Sequence, residues 1–255
     1  MTYDLPAGRA ATGFVVAVTT ARQGTAKRGL SAALAVALAR TGHGETCLVD
    51  IDITARDVAK RFTLTGPTVA ELTRLVRDAP HTDALAHLAC DPDSGCLVVP
   101  AAAGRVSLDT ESYVDVVTAL RDQAGCVVLD APIAIGTGTR PLDHIGRLLD
   151  AIVVAALPDS SDLAAAMTYL GSVSRAQAVG SLSPTLRTHL AVTAATGSTG
   201  EPFAVQRILR GRRDPVLLPQ LWGRDAAAPF EHGRLLPALA ALIEQLHAPV
   251  TGEVA

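Results

Sequence analysis

The stretch Thr19–Ala39, TTARQGTAKRGLSAALAVALA, places a lysine where it could bind phosphate: after an apolar run, in a glycine-bearing turn, before an Ala/Leu-rich segment. In a phosphate loop, backbone N–H groups wrap the phosphates, a lysine neutralises them, and the hydroxyl that follows the lysine binds magnesium. Gly24 and Lys27 supply two of these parts. Ala26 replaces the glycine before the lysine, and a Cβ at a left-handed position costs about 1–2 kcal/mol. Arg28 stands where the hydroxyl belongs. A guanidinium has no acceptor atom, so it cannot ligate a cation, and its charge repels one. Ser31 is no simple substitute, being three residues on, about 4.5 Å along a helix axis, against metal–oxygen distances of about 2.0–2.1 Å. Two roles stay open for Arg28. It pairs with phosphate directly, or it turns outward or fills the metal's place against Asp50, Asp52 or Asp130.

Those acids lie at the ends of apolar runs. Gly13–Thr19, Thr46–Ile51, Cys126–Asp130 and Ala151–Ala156 read as buried strands, with weaker ones at Cys96–Pro100, His189–Thr193 and Pro215–Leu218. Helical patterns lie between and after them, at Leu30–Arg40, Thr68–Arg77, Ser112–Ala124, Ser161–Ala178, Pro202–Arg210 and Leu235–His247. Alternating strands and helices imply an α/β fold, a doubly wound and mostly parallel sheet flanked by helices. In such sheets ligands bind beyond the carboxyl ends of the strands. Five strand ends matter most, Thr20–Gly29, Asp50–Asp52, Pro100–Ala101, Asp130–Pro132 and Leu157–Asp159, and the three that end in Asp50/Asp52, Asp130 and Asp159 carry acids, as a magnesium–phosphate site needs.

The chain of 255 residues suits one large α/β domain, and its net charge of −3 provides no global basic field for nucleic acid. One domain is expected over 13–247, with an N-terminal extension at 1–12 and a tail at 248–255. Cys47, Cys90, Cys96 and Cys126 form no C-x-x-C pair and have no histidine at metal spacing. Cys47 and Cys126 read as buried hydrophobes; Cys90 and Cys96 could approach each other across a short turn. The N-terminus lacks the pattern of a signal peptide, and no apolar run reaches a membrane span. A cytoplasmic protein is expected.

The order of these motifs resembles the ParA/MinD family of P-loop ATPases, the SIMIBI class with a deviant Walker A loop. The family's K-G-G-x-G-K-[ST]-T corresponds to Arg22-Gln23-Gly24-Thr25-Ala26-Lys27-Arg28-Gly29. CLVDIDITARDVAKRF resembles its D-x-D motif, GCVVLDAP its Walker B strand, DAIVVAALPDSSDLAAAMTYL a later strand–loop–helix, and VLLPQLWGRDAAAPFEHGRLL, with Pro219, its terminal nucleotide-side segment. Members with degraded loops, of the CpaE/TadZ kind, are the nearest comparison.

The resemblance implies ATP and magnesium as cofactors, although Arg28 removes the metal's hydroxyl ligand. It implies nucleotide contacts from Arg22, Gly24, Thr25, Ala26, Lys27, Arg28, Gly29 and Pro219. Asp50 and Asp52 become the water-positioning and metal-proximal acids, and Asp130 holds the metal's water shell. Arg22 replaces the family's signature lysine, which reaches across a sandwich dimer; the planar guanidinium need not keep that geometry. The asparagine that usually reads adenine is missing, because the chain contains no asparagine.

The function implied is a weak or inactive ATPase acting as a dimeric positioning or scaffold factor for an unidentified protein partner. The alternatives are an active ATPase with nucleotide-driven dimerisation, and a DNA-bound partitioning protein using Arg207, Arg210, Arg212 and Arg213. The arginines read more simply as a solvated helix end. The stripe Leu235, Leu236, Leu239, Leu242, Ile243 and Leu246 reads as core packing, not as a membrane helix, for want of a basic polar face. Membrane or nucleoid recruitment would then run through a partner.

Overall fold

The computed structural model describes residues 13–22, 27, 29–42, 44–52, 58, 61–62, 64–80, 82–101, 108–132, 145–193, 216–218, 230–231, 234–235 and 237–247. In chain order the elements are β1 (Phe14–Thr20), α1 (Leu30–Arg40), β2 (Thr46–Asp50), α2 (Val69–Asp78), a 3-10 turn (Leu85–His87), β3 (Ala89–Cys90), β4 (Leu97–Val99) and α3 (Thr110–Gln123). Then come β5 (Cys126–Asp130), β6 (Ala151–Ala156), α4 (Ser160–Ala178), β7 (Arg187–Thr193), β8 (Val216–Leu218), β9 (Phe230–Glu231), β10 (Arg234–Leu235) and α5 (Pro237–His247).

Eight strands form one sheet in the order β3-β4-β2-β5-β1-β6-β7-β8. Every pairing in it is parallel except β3 with β4. The central strands are buried on both faces, which is why they read as unbroken apolar runs. Alternation sends Val16, Val18, Leu48, Val128 and Val153 to the face covered by α1 and α5. It sends Val15, Ala17, Val49, Leu129 and Val154 to the face covered by α2, α3 and α4. This is the doubly wound architecture expected.

Local chemistry sets the helix starts. Thr68 and Glu71 form a reciprocal capping box at α2, Asp109 caps α3 through the Ser112 N–H, and Asp159 caps α4 through the N–H groups of Ser161 and Asp162. The Asp109 cap makes α3 begin two residues before the expected Ser112. Helix α5 begins at Pro237, not Leu235, because Arg234 and Leu235 pair with Glu231 and Phe230 in a separate ladder. Strand β3 was not expected; two residues carry no period. The expected helix Pro202–Arg210 lies outside the described residues.

The apolar stripe of α5 faces inward. Leu239, Leu242, Ile243 and Leu246 are buried in the same cluster as α1. Among the described residues, no helix is long and apolar enough to cross a membrane. All four cysteines are free; Cys47, Cys96 and Cys126 are buried and Cys90 is exposed. Cys90 and Cys96 are therefore not bridged, although the Asp91 N–H donates to the Cys96 carbonyl across the turn between β3 and β4.

Candidate functional site

The neighbouring strands β2, β5 and β1 bring the site together at their carboxyl ends. Asp50 and Asp130 are register partners at the last positions of β2 and β5. They share strand parity with Leu48 and Val128, so both sit on the α1 face. Lys27 lies just before α1 and Asp52 just beyond β2. Helix α1 begins without a side-chain cap: Gly29 holds the capping position at φ 82°, and the Leu30 N–H reaches the Lys27 carbonyl. A Cβ on Gly29 would lie 2.4 Å from Arg61 Nη2. The left-handed backbone favours glycine here, while the guanidinium above it, the far end of a flexible side chain, would have to shift for a Cβ.

The Lys27 ammonium sits in a cage. Its Nζ lies 2.8 Å from Asp52 Oδ2 and 3.1 Å from Asp130 Oδ1, and it also donates to the Ala131 carbonyl. Lys27 is only 7 % exposed, Asp52 3 % and Asp130 2 %. Burial alone would lower the Lys27 pKa, but Asp130 and Asp52 together outweigh it and raise the pKa. Burial raises the Asp130 pKa against the opposing pull of Lys27 and Ser31. The Ser31 hydroxyl donates to Asp130 Oδ1 at 3.0 Å, so Ser31 orients the acid.

Asp50 is fully buried. Its Oδ1 accepts the Asp52 backbone N–H at 3.0 Å, while Oδ2 has no hydrogen-bond partner. Burial, then the Asp130 charge, pushes its pKa up to about 8. Two carboxylates, Asp52 and Asp130, meet the one Lys27 ammonium.

Arg22 is exposed just past β1 and donates to Ser161 Oγ in the first turn of α4. Gly24, Thr25, Ala26, Arg28, Pro219, Arg207, Arg210, Arg212 and Arg213 lie outside the described residues, as do Arg56 and Asp57 and, within Pro132–Arg140, positions 133–140, the two segments that the family resemblance reads as switch positions. So the structure brings together Lys27, Asp50, Asp52 and Asp130, with Gly29 alongside. Among the described residues Lys27 is a cation set against these acids; the expected place of Arg28 lies outside the described residues. Sequence reasoning missed Ser161 as the partner of Arg22, the orienting role of Ser31, and Arg61 over Gly29. Only Ser31 left a signal: it is four residues after Lys27, one helical turn on.

As arranged, the cage sets an ammonium between its acids where a divalent cation would otherwise sit. Asp130 Oδ1 is shared by Lys27 and Ser31, Asp52 Oδ2 is taken by Lys27, and Asp50 Oδ1 by a backbone N–H. Among the described residues, no group of three or more His, Cys, Asp or Glu could hold a metal ion. The lysine does fit a phosphate ligand in charge and position, provided it leaves the acids.

No family model matches the sequence, and no curated protein matches it. Solved structures do match. The MinC:MinD cell division protein complex of Aquifex aeolicus aligns at 16% identity and TM-score 0.66, over 92% of this chain and 94% of that one. A ParA family ATPase from Chlorobium tepidum TLS aligns at 16% and 0.68, over 82% and 85%. Cobyrinic acid a,c-diamide synthase from Mycobacterium smegmatis, with bound ADP and magnesium, aligns at 20% and 0.61, over 91% and 95%. At such identities the likeness establishes the fold.

Proposed function

From the fold it shares with MinD and ParA ATPases, we propose that this chain is a divergent P-loop protein with weak or lost ATPase activity. It serves as a dimeric positioning or scaffold factor for a partner complex in cell division, partitioning or secretion. One observation carries the reading: the lysine meant for phosphate is buried against Asp52 and Asp130. Arg28, where a hydroxyl would bind magnesium, supports it. A chain short of the metal's hydroxyl ligand, with its lysine engaged elsewhere, has the fold of an ATPase without its charge balance.

The test is an ATP titration with and without magnesium, together with a hydrolysis assay. Weak binding that magnesium does not strengthen, and no turnover above background, is expected. Tight magnesium-dependent binding, abolished by Lys27→Ala and accompanied by turnover, overturns the reading. That result would favour the second one, an active ATPase whose dimer forms with nucleotide. Its supporting observation is that Lys27, Ser31 and Asp130 meet at the junction of β1, α1 and β5.

A further inference from the structure

The cage poses a problem for any anionic ligand. The two carboxylates that hold Lys27 outnumber its single charge, so an arriving oligophosphate must compete with them for the ammonium. Lys27 Nζ donates to Asp52 Oδ2 and to the Ala131 carbonyl and forms an ion pair with Asp130 Oδ1. Phosphate can take the ammonium only by displacing these groups. The acids are positioned in turn, Asp130 by the Ser31 hydroxyl and Asp50 by the Asp52 N–H. The contact is therefore built by several elements and is not a chance approach of one flexible side chain.

We propose that the cage is a latch: Asp52 and Asp130 withhold the Lys27 ammonium from phosphate, and its release, not the addition of a divalent cation, opens the site to oligophosphates. This rests on reading the loop as a phosphate site. It predicts that removing one acid strengthens anion binding, whereas acids that served a bound metal would weaken binding when removed. Asp52→Asn leaves one ammonium against one carboxylate, and replaces a charge-assisted contact by a neutral amide acceptor that phosphate displaces more easily.

Inorganic pyrophosphate is the probe, titrated calorimetrically into the full chain in EDTA and in excess magnesium. Asp52→Asn is expected to bind at least about ten-fold tighter than the parent protein in both media, the worth of one charge-assisted hydrogen bond. Asp130→Asn should gain in the same direction. Affinity that is unchanged or reduced in both variants overturns the latch, as does a gain seen only with magnesium. Tight magnesium-dependent ATP binding and turnover by the parent overturns the proposed function instead. A weak parent with equally weak variants overturns the latch alone.

A measurement on the parent chain covers the case in which neither variant folds. Lys27 and Lys60 are the only lysines, so reductive methylation followed by peptide mass analysis resolves each. Lys27 should react at least about ten-fold more slowly in the native chain than in urea, because a buried, paired ammonium is withheld from reagent. Equal rates would overturn the latch.

Discussion

At the scale of single residues, Asp50 carries the clearest pH consequence. Its folded pKa is raised from 3.8 to about 8, so the folded chain keeps a proton that the unfolded chain gives up. Below the ordinary value both states are protonated and the group costs nothing. As pH rises from there to about 8, the proton held only by the folded state makes folding progressively less favourable. Asp130 is shifted in the same direction. Asp50→Asn removes this dependence. Urea midpoints should fall less between about pH 5 and about pH 8 for the variant than for the parent; equal slopes would contradict the assignment. At Gly29, alanine brings a Cβ into a left-handed position and against Arg61. Gly29→Ala should lower stability by about 1–2 kcal/mol, read by chemical denaturation.

At the scale of elements, the caps fix where helices begin and so where site residues point. Asp159 holds the first turn of α4, which presents Ser161 to Arg22. Asp159→Ala should cost about 1 kcal/mol and loosen Arg22, without altering the Lys27 cage; thermal unfolding and the methylation rate of Lys27 separate the two effects. Much of this level was legible in the sequence. Thr46–Ile51 and Cys126–Asp130 read as strands because both their faces are covered, and their acids marked the strand ends. Strand β3 was not legible, since its two residues owe their state to pairing with β4. The Lys27 cage was only half legible. The spacing named the lysine and the acids, but the direction of an ammonium depends on residues 52, 130 and 131, which only tertiary contacts bring near it. Arg61 over Gly29 was hidden for the same reason, a contact across 32 positions that no local pattern encodes.

At the scale of the whole molecule, one sheet separates two apolar layers, and both must form for the strand ends to align. Leu34 on one side and Leu170 on the other are fully buried. Replacing either with alanine should cost about 2–5 kcal/mol, and a single unfolding transition is expected in both cases. The two layers also divide the thiols. Burial pushes the pKa values of Cys47, Cys96 and Cys126 up, so these three resist thiol reagents, while Cys90 stands exposed on the edge strand β3. A colorimetric thiol titration should count one fast group in the native chain and four after unfolding. The unmodified protein thus carries its own single point of dye attachment, on the sheet's margin and several strands away from the lysine. A fluorophore placed there would report self-association by energy transfer between copies, with no engineered cysteine and no disturbance of the ion cage.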